Sequence, residues 1–248
     1  MPIGSNLMIG SLQLKSRAIL SPLESVSDVG FRKICFSLGS SFTWTEMVRA
    51  QSIIKNNASA LDLMDTHDPV TPTGIQLLAK SADELTRALR HIEQLAVTTR
   101  PHYKNIQAVD LNFGCPSPAV ISEGAGPALL HRRKRLSEIF EALSAWKRNN
   151  SLDKIGAVGV KIRLGLNSLE QGNKVYMSVI ESANLAGLDY IVVHARHAKQ
   201  VCSPDVRTKQ NTVRTISSDN VPYCCNTHII QTTVLYLEKQ RYSYMVGN

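Results

Sequence analysis

Apolar positions along the chain follow two alternating patterns. Short β-branched runs are separated by longer stretches in which apolar residues recur every three or four positions. The short runs predict strands at "AILSPL" from Ala18, "FTWTEMV" from Phe42, "TGIQLLA" from Thr73 and "AVDLNFG" from Ala108. Further strands are predicted at "VGVKIRLG" from Val158, "YIVVHAR" from Tyr190, "VPYCCN" from Val221 and "YSYMVG" from Tyr242. The longer stretches predict helices over 82–95, 136–147, 170–186 and 229–239. Strands alternating with helices at this chain length predict an α/β fold, a (β/α)8 TIM barrel. An open doubly wound sheet is the competing architecture, but the first βα turn carries no G-x-G-x-x-G. The last predicted strand ends at Val246 and Gly247, one residue before Asn248, so the expected barrel is C-terminally truncated and the 248 residues form a single domain.

Composition narrows the class. Hydrophobic residues make up 43% of the chain, enough for a packed core. No apolar run approaches the roughly 18–20 residues that cross a bilayer, and the N-terminus lacks the apolar segment of a secretory signal. Cys35, Cys115, Cys202, Cys224 and Cys225 show no CxxC spacing, which argues against a disulfide framework and against a zinc site. The expectation is a reduced, cytoplasmic protein with no membrane partner and no metal. A net charge of +8 and a pI near 9.3 favour a polyanionic partner. The densest basic run is "HRRKR" from His131, although such runs also occur as solvated helix ends.

Reactive groups of such barrels sit at the C-terminal ends of the strands. The fourth strand ends in Asn112, Phe113, Gly114, Cys115, Pro116. Gly114 lets the backbone turn, and Pro116 biases Cys115 towards an extended conformation, so the thiol is expected at the barrel mouth. A lone cysteine is otherwise a small buried hydrophobe. On the fifth strand Lys161 and Arg163 share one face, and the sixth carries His194 and Arg196 in the same spacing. Such pairs are either cations snorkelling at strand ends or one wall of an anion-binding pocket. Gln76 and Asn112 add amides able to bond the edge of a planar ring.

These residues resemble a known family. "LNFGCPSPAVISEGAGPALL" is similar to the N-x-G-C-P and glycine-rich signature of tRNA-dihydrouridine synthases. "SPLESVSDVGFRKIC", "TEMV", "GIQLL", "VGVKIRLG" and "VVHAR" resemble the family's other elements in the same order. The resemblance implies an enzyme that holds FMN in the barrel mouth, takes reducing equivalents from NADPH, and reduces selected uridines of tRNA to 5,6-dihydrouridine. It implies that Cys115 donates the proton to C5 while hydride reaches C6 from the flavin. An ordinary thiol, with a pKa of about 8.5, is mostly protonated at neutral pH and so suited to donation. The resemblance further implies FMN contacts from Pro22, Leu23, Glu24, Gln76, Lys161, His194, Asn226 and Gly247, and uracil or RNA contacts from Asn112, Arg163 and Arg196.

The chain departs from the family pattern in places. Leu23 stands where methionine is usual and Ala79 where glycine often follows the third strand. Gln200 is followed by Val201 rather than an aromatic, the family's N-G-D becomes Asn226, Thr227, His228, and its G-R becomes Gly247, Asn248. The family's C-terminal helical tRNA-binding domain is expected to be absent. Two other readings remain open: a catalytically impaired relative that binds RNA or a partner, and another FMN-dependent barrel oxidoreductase.

Overall fold

The computed structural model describes residues 7–200 and the backbone of Thr232–Tyr236. A hairpin of β1 (Leu7–Ile9) and β2 (Leu12–Leu14) precedes a curled sheet. The sheet is built from β3 (Ile19–Leu20), β4 (Phe42–Arg49), β5 (Thr73–Leu78), β6 (Ile106–Phe113), β7 (Ala157–Arg163) and β8 (Tyr190–His194), all parallel and paired in chain order. The connections carry α1 (Val29–Ser37), α2 (Ala50–Ile54), α3 (Ala58–Asp62), α4 (Ala82–Val97), α5 (Pro118–Ser122), α6 (Arg133–Asn149), α7 (Ser168–Gly172) and α8 (Val175–Leu185). These are successive β/α units of the expected (β/α)8 barrel.

Alternation along the strands divides the apolar residues into two cores. One parity (Ile75, Leu77, Val109, Leu111, Val158, Val160, Ile191) packs outward against Leu85, Leu89 and Ile92 of α4 and Ile139, Phe140 and Leu143 of α6. Those helical positions recur at three and four residues, as the sequence periodicity requires. Ser81 caps α4 by accepting the Glu84 N–H at 3.2 Å, with Asp83 and Glu84 in the first turn. The other parity faces inward. Its lower layer joins Phe42, Trp44, Ala108, Ala157 and Tyr190 to Ile9 and Leu14 of the hairpin, which closes the end of the barrel away from the strand C-termini.

The inner layer fits because large and small residues face one another. A Cβ on Gly74 would lie 2.3 Å from the Trp44 ring, and one on Gly159 would lie 2.5 Å from the Tyr190 ring. Tyr190 cannot swing aside without giving up the 3.1 Å bond from its hydroxyl to Asp110. Gly159→Ala is therefore expected to cost about 1–3 kcal/mol through overpacking. Thermal melts should show a fall of roughly 2–4 °C per kcal/mol, and an unchanged midpoint would mean the ring has room to move.

Two expectations are corrected. The helix predicted over 170–186 is two helices, α7 and α8, because Lys174 between them takes the left-handed conformation (φ +53°) just after Gly172 and Asn173, both weak helix formers. The helix predicted over 229–239 is instead a strand, β9 (Thr232–Tyr236), antiparallel to β8. Its run Thr-Thr-Val-Leu-Tyr is β-branched and aromatic, and β8 offers it an edge to pair with. The strands predicted from Val221 and Tyr242 lie outside the described residues. Among the described residues no helix is long and apolar enough to cross a membrane.

Candidate active site at the barrel mouth

Parallel strands bring their C-terminal ends to one rim. There β6 runs into Gly114, Cys115 and Pro116, followed by α5 and a glycine turn. Gly124 (φ +70°) and Gly126 (φ +55°) both occupy the left-handed region, and a Cβ on Gly126 would meet Val120 at 2.8 Å. This turn folds Ala125 back so that Val120, Ala125 and Leu78 form a small cluster against which Cys115 packs. Half-buried, Cys115 borders a cleft of about 200 Å³ that is also lined by Glu24, Met47, Arg49 and Ser117. The expected presentation of the thiol at the mouth is what the structure shows.

The loop is held by side chains from the strands. Asn112 Oδ1 accepts the N–H of Gly114 at 3.0 Å and of Cys115 at 2.8 Å. Arg163 Nε donates to the Gly114 carbonyl at 2.7 Å. Asn112 Nδ2 donates to Gln76 Oε1 at 2.8 Å, and Gln76 Nε2 donates to Asp110 Oδ2 at 2.6 Å. Asn112 and Arg163, expected to meet substrate, are thus also the anchors of the cysteine loop.

Lys161 pairs in register with Asn112, and Arg163 with His194, so the two cations do share the inward face. Burial pulls the Lys161 ammonium below its ordinary pKa, while Asp110 and Cys115 pull it up and Arg163 adds to the depression. Among the described residues Lys161 makes no hydrogen bond or ion pair. A largely buried ammonium aimed into a strand-end pocket fits an anionic ligand or a polarisable ring edge. His194 sits opposite Arg163 in register on this face. Burial and then the charges of Arg163, Lys161 and Arg196 push its pKa down to about 3, so it is a neutral imidazole at physiological pH. Arg196 lies just past β8, where its carbonyl accepts the Leu164 N–H at 3.2 Å and ties the ends of β7 and β8 together.

Pro22, Leu23 and Glu24 follow β3 on the same rim. Their loop is fixed by the buried Arg32 guanidinium, which donates to the Ser27 carbonyl at 2.7 Å, and by Glu46, which accepts the Ser25 N–H at 2.6 Å. The structure therefore brings together Pro22, Leu23, Glu24, Gln76, Asn112, Cys115, Lys161, Arg163, His194 and Arg196. Asn226 and Gly247 lie outside the described residues.

The sequence reading missed Asp110 and Tyr190. Asp110 is buried and accepts from Gln76 and from Tyr190. Burial pushes its carboxyl up to about 7, against the pull of Gln76, Tyr190 and Lys161. Because the folded value lies above the ordinary 3.8, the fold favours the protonated form, and stability present at low pH is lost as pH rises through about 7. A signal existed: an acid inside the apolar run "AVDLNF", two residues before Asn112 and so on the same face. Tyr190 had none, since its role depends on a contact 80 positions away.

At the opposite end of the strands, Asp65, His67 and His102 place possible ligand atoms within 4.8 Å of one another. The two imidazoles stack with centroids 3.5 Å apart and planes 24° apart, so their in-plane lone pairs run side by side rather than to one point.

Comparison with known proteins identifies the family. The family model described as dihydrouridine synthase matches residues 19–235. A probable tRNA-dihydrouridine synthase of Rickettsia typhi is 29% identical over 191 residues, covering 77% of this chain and 53% of the relative. A tRNA-dihydrouridine synthase B of Pseudomonas putida is 29% identical over 195 residues, covering 77% and 51%. A tRNA-dihydrouridine(47) synthase [NAD(P)(+)] of Aspergillus niger is 29% identical over 209 residues, covering 73% and 27%. The chain spans about half the length of these bacterial relatives and less of the fungal one.

Proposed function

This chain belongs to the dihydrouridine synthase family, and we propose that it reduces uridine to 5,6-dihydrouridine in tRNA, using FMN at the barrel mouth and NADPH as reductant. In this reading residues 1–248 act as one flavin-binding barrel domain. The observation that carries it is the convergence, on one rim, of a thiol on an anchored turn with Gln76, Lys161 and neutral His194.

The residues fit the cofactor on its ring side. Lys161 supplies a positive charge that has no bonded partner among the described residues, and Gln76 keeps one amide hydrogen beyond the one given to Asp110. When bound, FMN supplies hydride chemistry that no side chain can. Cys115 holds a proton at Sγ and delivers it to C5 of the base. Asn112 and Arg163 keep that thiol in place through the loop backbone. His194, being neutral, serves as a hydrogen-bonding group rather than a countercharge. The uridine must leave its stack to reach the rim.

Exposed His131 to Arg135 support RNA binding on this face. They lead into α6, whose first turn contains no acid, so the cations sit at the positive end of the helix dipole. Such an arrangement is unfavourable by itself and suits a polyanion arriving from outside. Reversing Arg132, Arg133 and Arg135 to Glu should weaken tRNA binding and flatten the slope of log K against log salt by about 2–3, taking roughly 0.9 per phosphate contact. An unchanged slope would remove this run from the interface.

The reading as a whole is tested by incubating the protein with FMN, NADPH and unmodified tRNA and measuring dihydrouridine by mass spectrometry. Dihydrouridine formed only when all three are present is the expected result. Absence of product, with flavin bound and reducible, would favour a family relative that binds RNA without modifying it.

A further inference from the structure

We propose that Asp110 is a positioning residue for Cys115: its carboxylate fixes the direction of the Gln76–Asn112 amide chain, and with it the backbone that presents the thiol. The inference rests on the reading of Cys115 as the reactive group.

The argument is one of donor and acceptor polarity. An ionised carboxylate only accepts. Asp110 Oδ2 therefore requires Nε2 of Gln76, 2.6 Å away, which turns Oε1 towards Asn112. Gln76 Oε1 in turn requires Nδ2 of Asn112 at 2.8 Å, which turns Oδ1 towards the loop. There Oδ1 receives two backbone N–H groups, from Gly114 and Cys115, at 3.0 and 2.8 Å. Reversing either amide would set two donors or two acceptors against each other at both of its ends. Tyr190 closes the chain by donating to the second carboxylate oxygen at 3.1 Å.

Gln76, Asp110 and Asn112 are all buried, so water does not compete for these bonds. The groups facing Asp110 are Gln76 from β5, Tyr190 from β8 and the Lys161 ammonium from β7. A carboxyl whose pKa burial holds at about 7 destabilises the fold when it ionises, and polar groups kept at such a cost cluster at functional sites. The direction holds in either protonation state, because the neutral acid can turn its O–H on Oδ1 to the Tyr190 oxygen while Oδ2 still accepts from Gln76 Nε2.

Alkylation of the full-length protein by iodoacetamide, followed by peptide mass spectrometry, tests this without flavin or RNA. The rate at Cys115 is read against that at Cys35, a second half-buried free thiol on α1, as internal reference. Asp110→Leu and Gln76→Met should each raise the Cys115-to-Cys35 ratio about five- to tenfold, the factor one net hydrogen bond represents. Asp110→Asn should stay within about twofold, because its oxygen can still accept from Gln76 while the Tyr190 hydroxyl turns to accept from its amide. A purely structural role would raise both thiols together and show no rescue by asparagine. An unchanged ratio in Gln76→Met, or Asp110→Asn behaving like Gln76→Met, overturns the proposal even if Asp110→Leu fails to fold. Failure of the wild type to make dihydrouridine would overturn the activity and leave this ratio as it is.

Discussion

Cys115→Ala should nearly abolish dihydrouridine formation while leaving flavin binding and oxidation of NADPH intact. General acid catalysis by a positioned side chain contributes typically about 10²–10⁴-fold, so single-turnover yield should fall by at least that lower figure. The selectivity of the effect follows from where the thiol sits. Cys115 is on a loop held through its backbone by Asn112 and Arg163 and packs against the small cluster of Leu78, Val120 and Ala125, so losing Sγ removes a proton source while the loop's anchors stay in place. The small volume change at a half-buried site should cost little stability. Rapid mixing of reduced, tRNA-bound protein, with product counted by mass spectrometry, is the decisive measurement. A mutant that keeps wild-type single-turnover yield would take Cys115 out of its role.

Lys161→Ala should both release flavin and slow its reduction. Removing a preorganised charge at a water-excluded site costs about 10²–10³-fold in rate in comparable cases. The ammonium here is largely buried, with Asp110 as the attracting carboxylate and Arg163 as the opposing cation. Its loss leaves Asp110 without its nearest compensating charge, so the Asp110 pKa should rise further. Flavin content after gel filtration and the rate of bleaching on adding NADPH report the two effects separately. His194→Ala should lower occupancy without the same loss of rate, because a neutral imidazole carries no charge to remove. Unchanged occupancy and rate in both variants would show that β7 and β8 do not line the flavin site.

Local patterns in the chain were sufficient for much of this architecture. The strands from Phe42, Thr73, Ala108, Val158 and Tyr190 could be placed because continuous apolar β-branched runs have few other homes than a covered parallel sheet. Helices α4 and α6 announced themselves through three- and four-residue spacing, and Gly114 with Pro116 marked the turn that carries Cys115. The face shared by Lys161 and Arg163 followed from strand alternation alone. Each of these depends on interactions within a few residues.

Tertiary structure decided the rest, because the deciding contacts join residues far apart in the chain. Only the inter-strand register sets Gln76 beside Asp110 and Asn112 beside Lys161, so no local pattern could show that Asp110 directs the amides behind Cys115. The neutrality of His194 depends first on its burial and then on the charges of Arg163, Lys161 and Arg196 gathered at one rim, not on any neighbour pattern. Residues 232–236 could be amphipathic helix or strand by spacing, and pairing with the β8 backbone selects the strand. The chain encodes which residues prefer to be buried and where it turns. Which buried polar groups meet, and with what protonation, is settled when the curled sheet brings strands into register and excludes water between them.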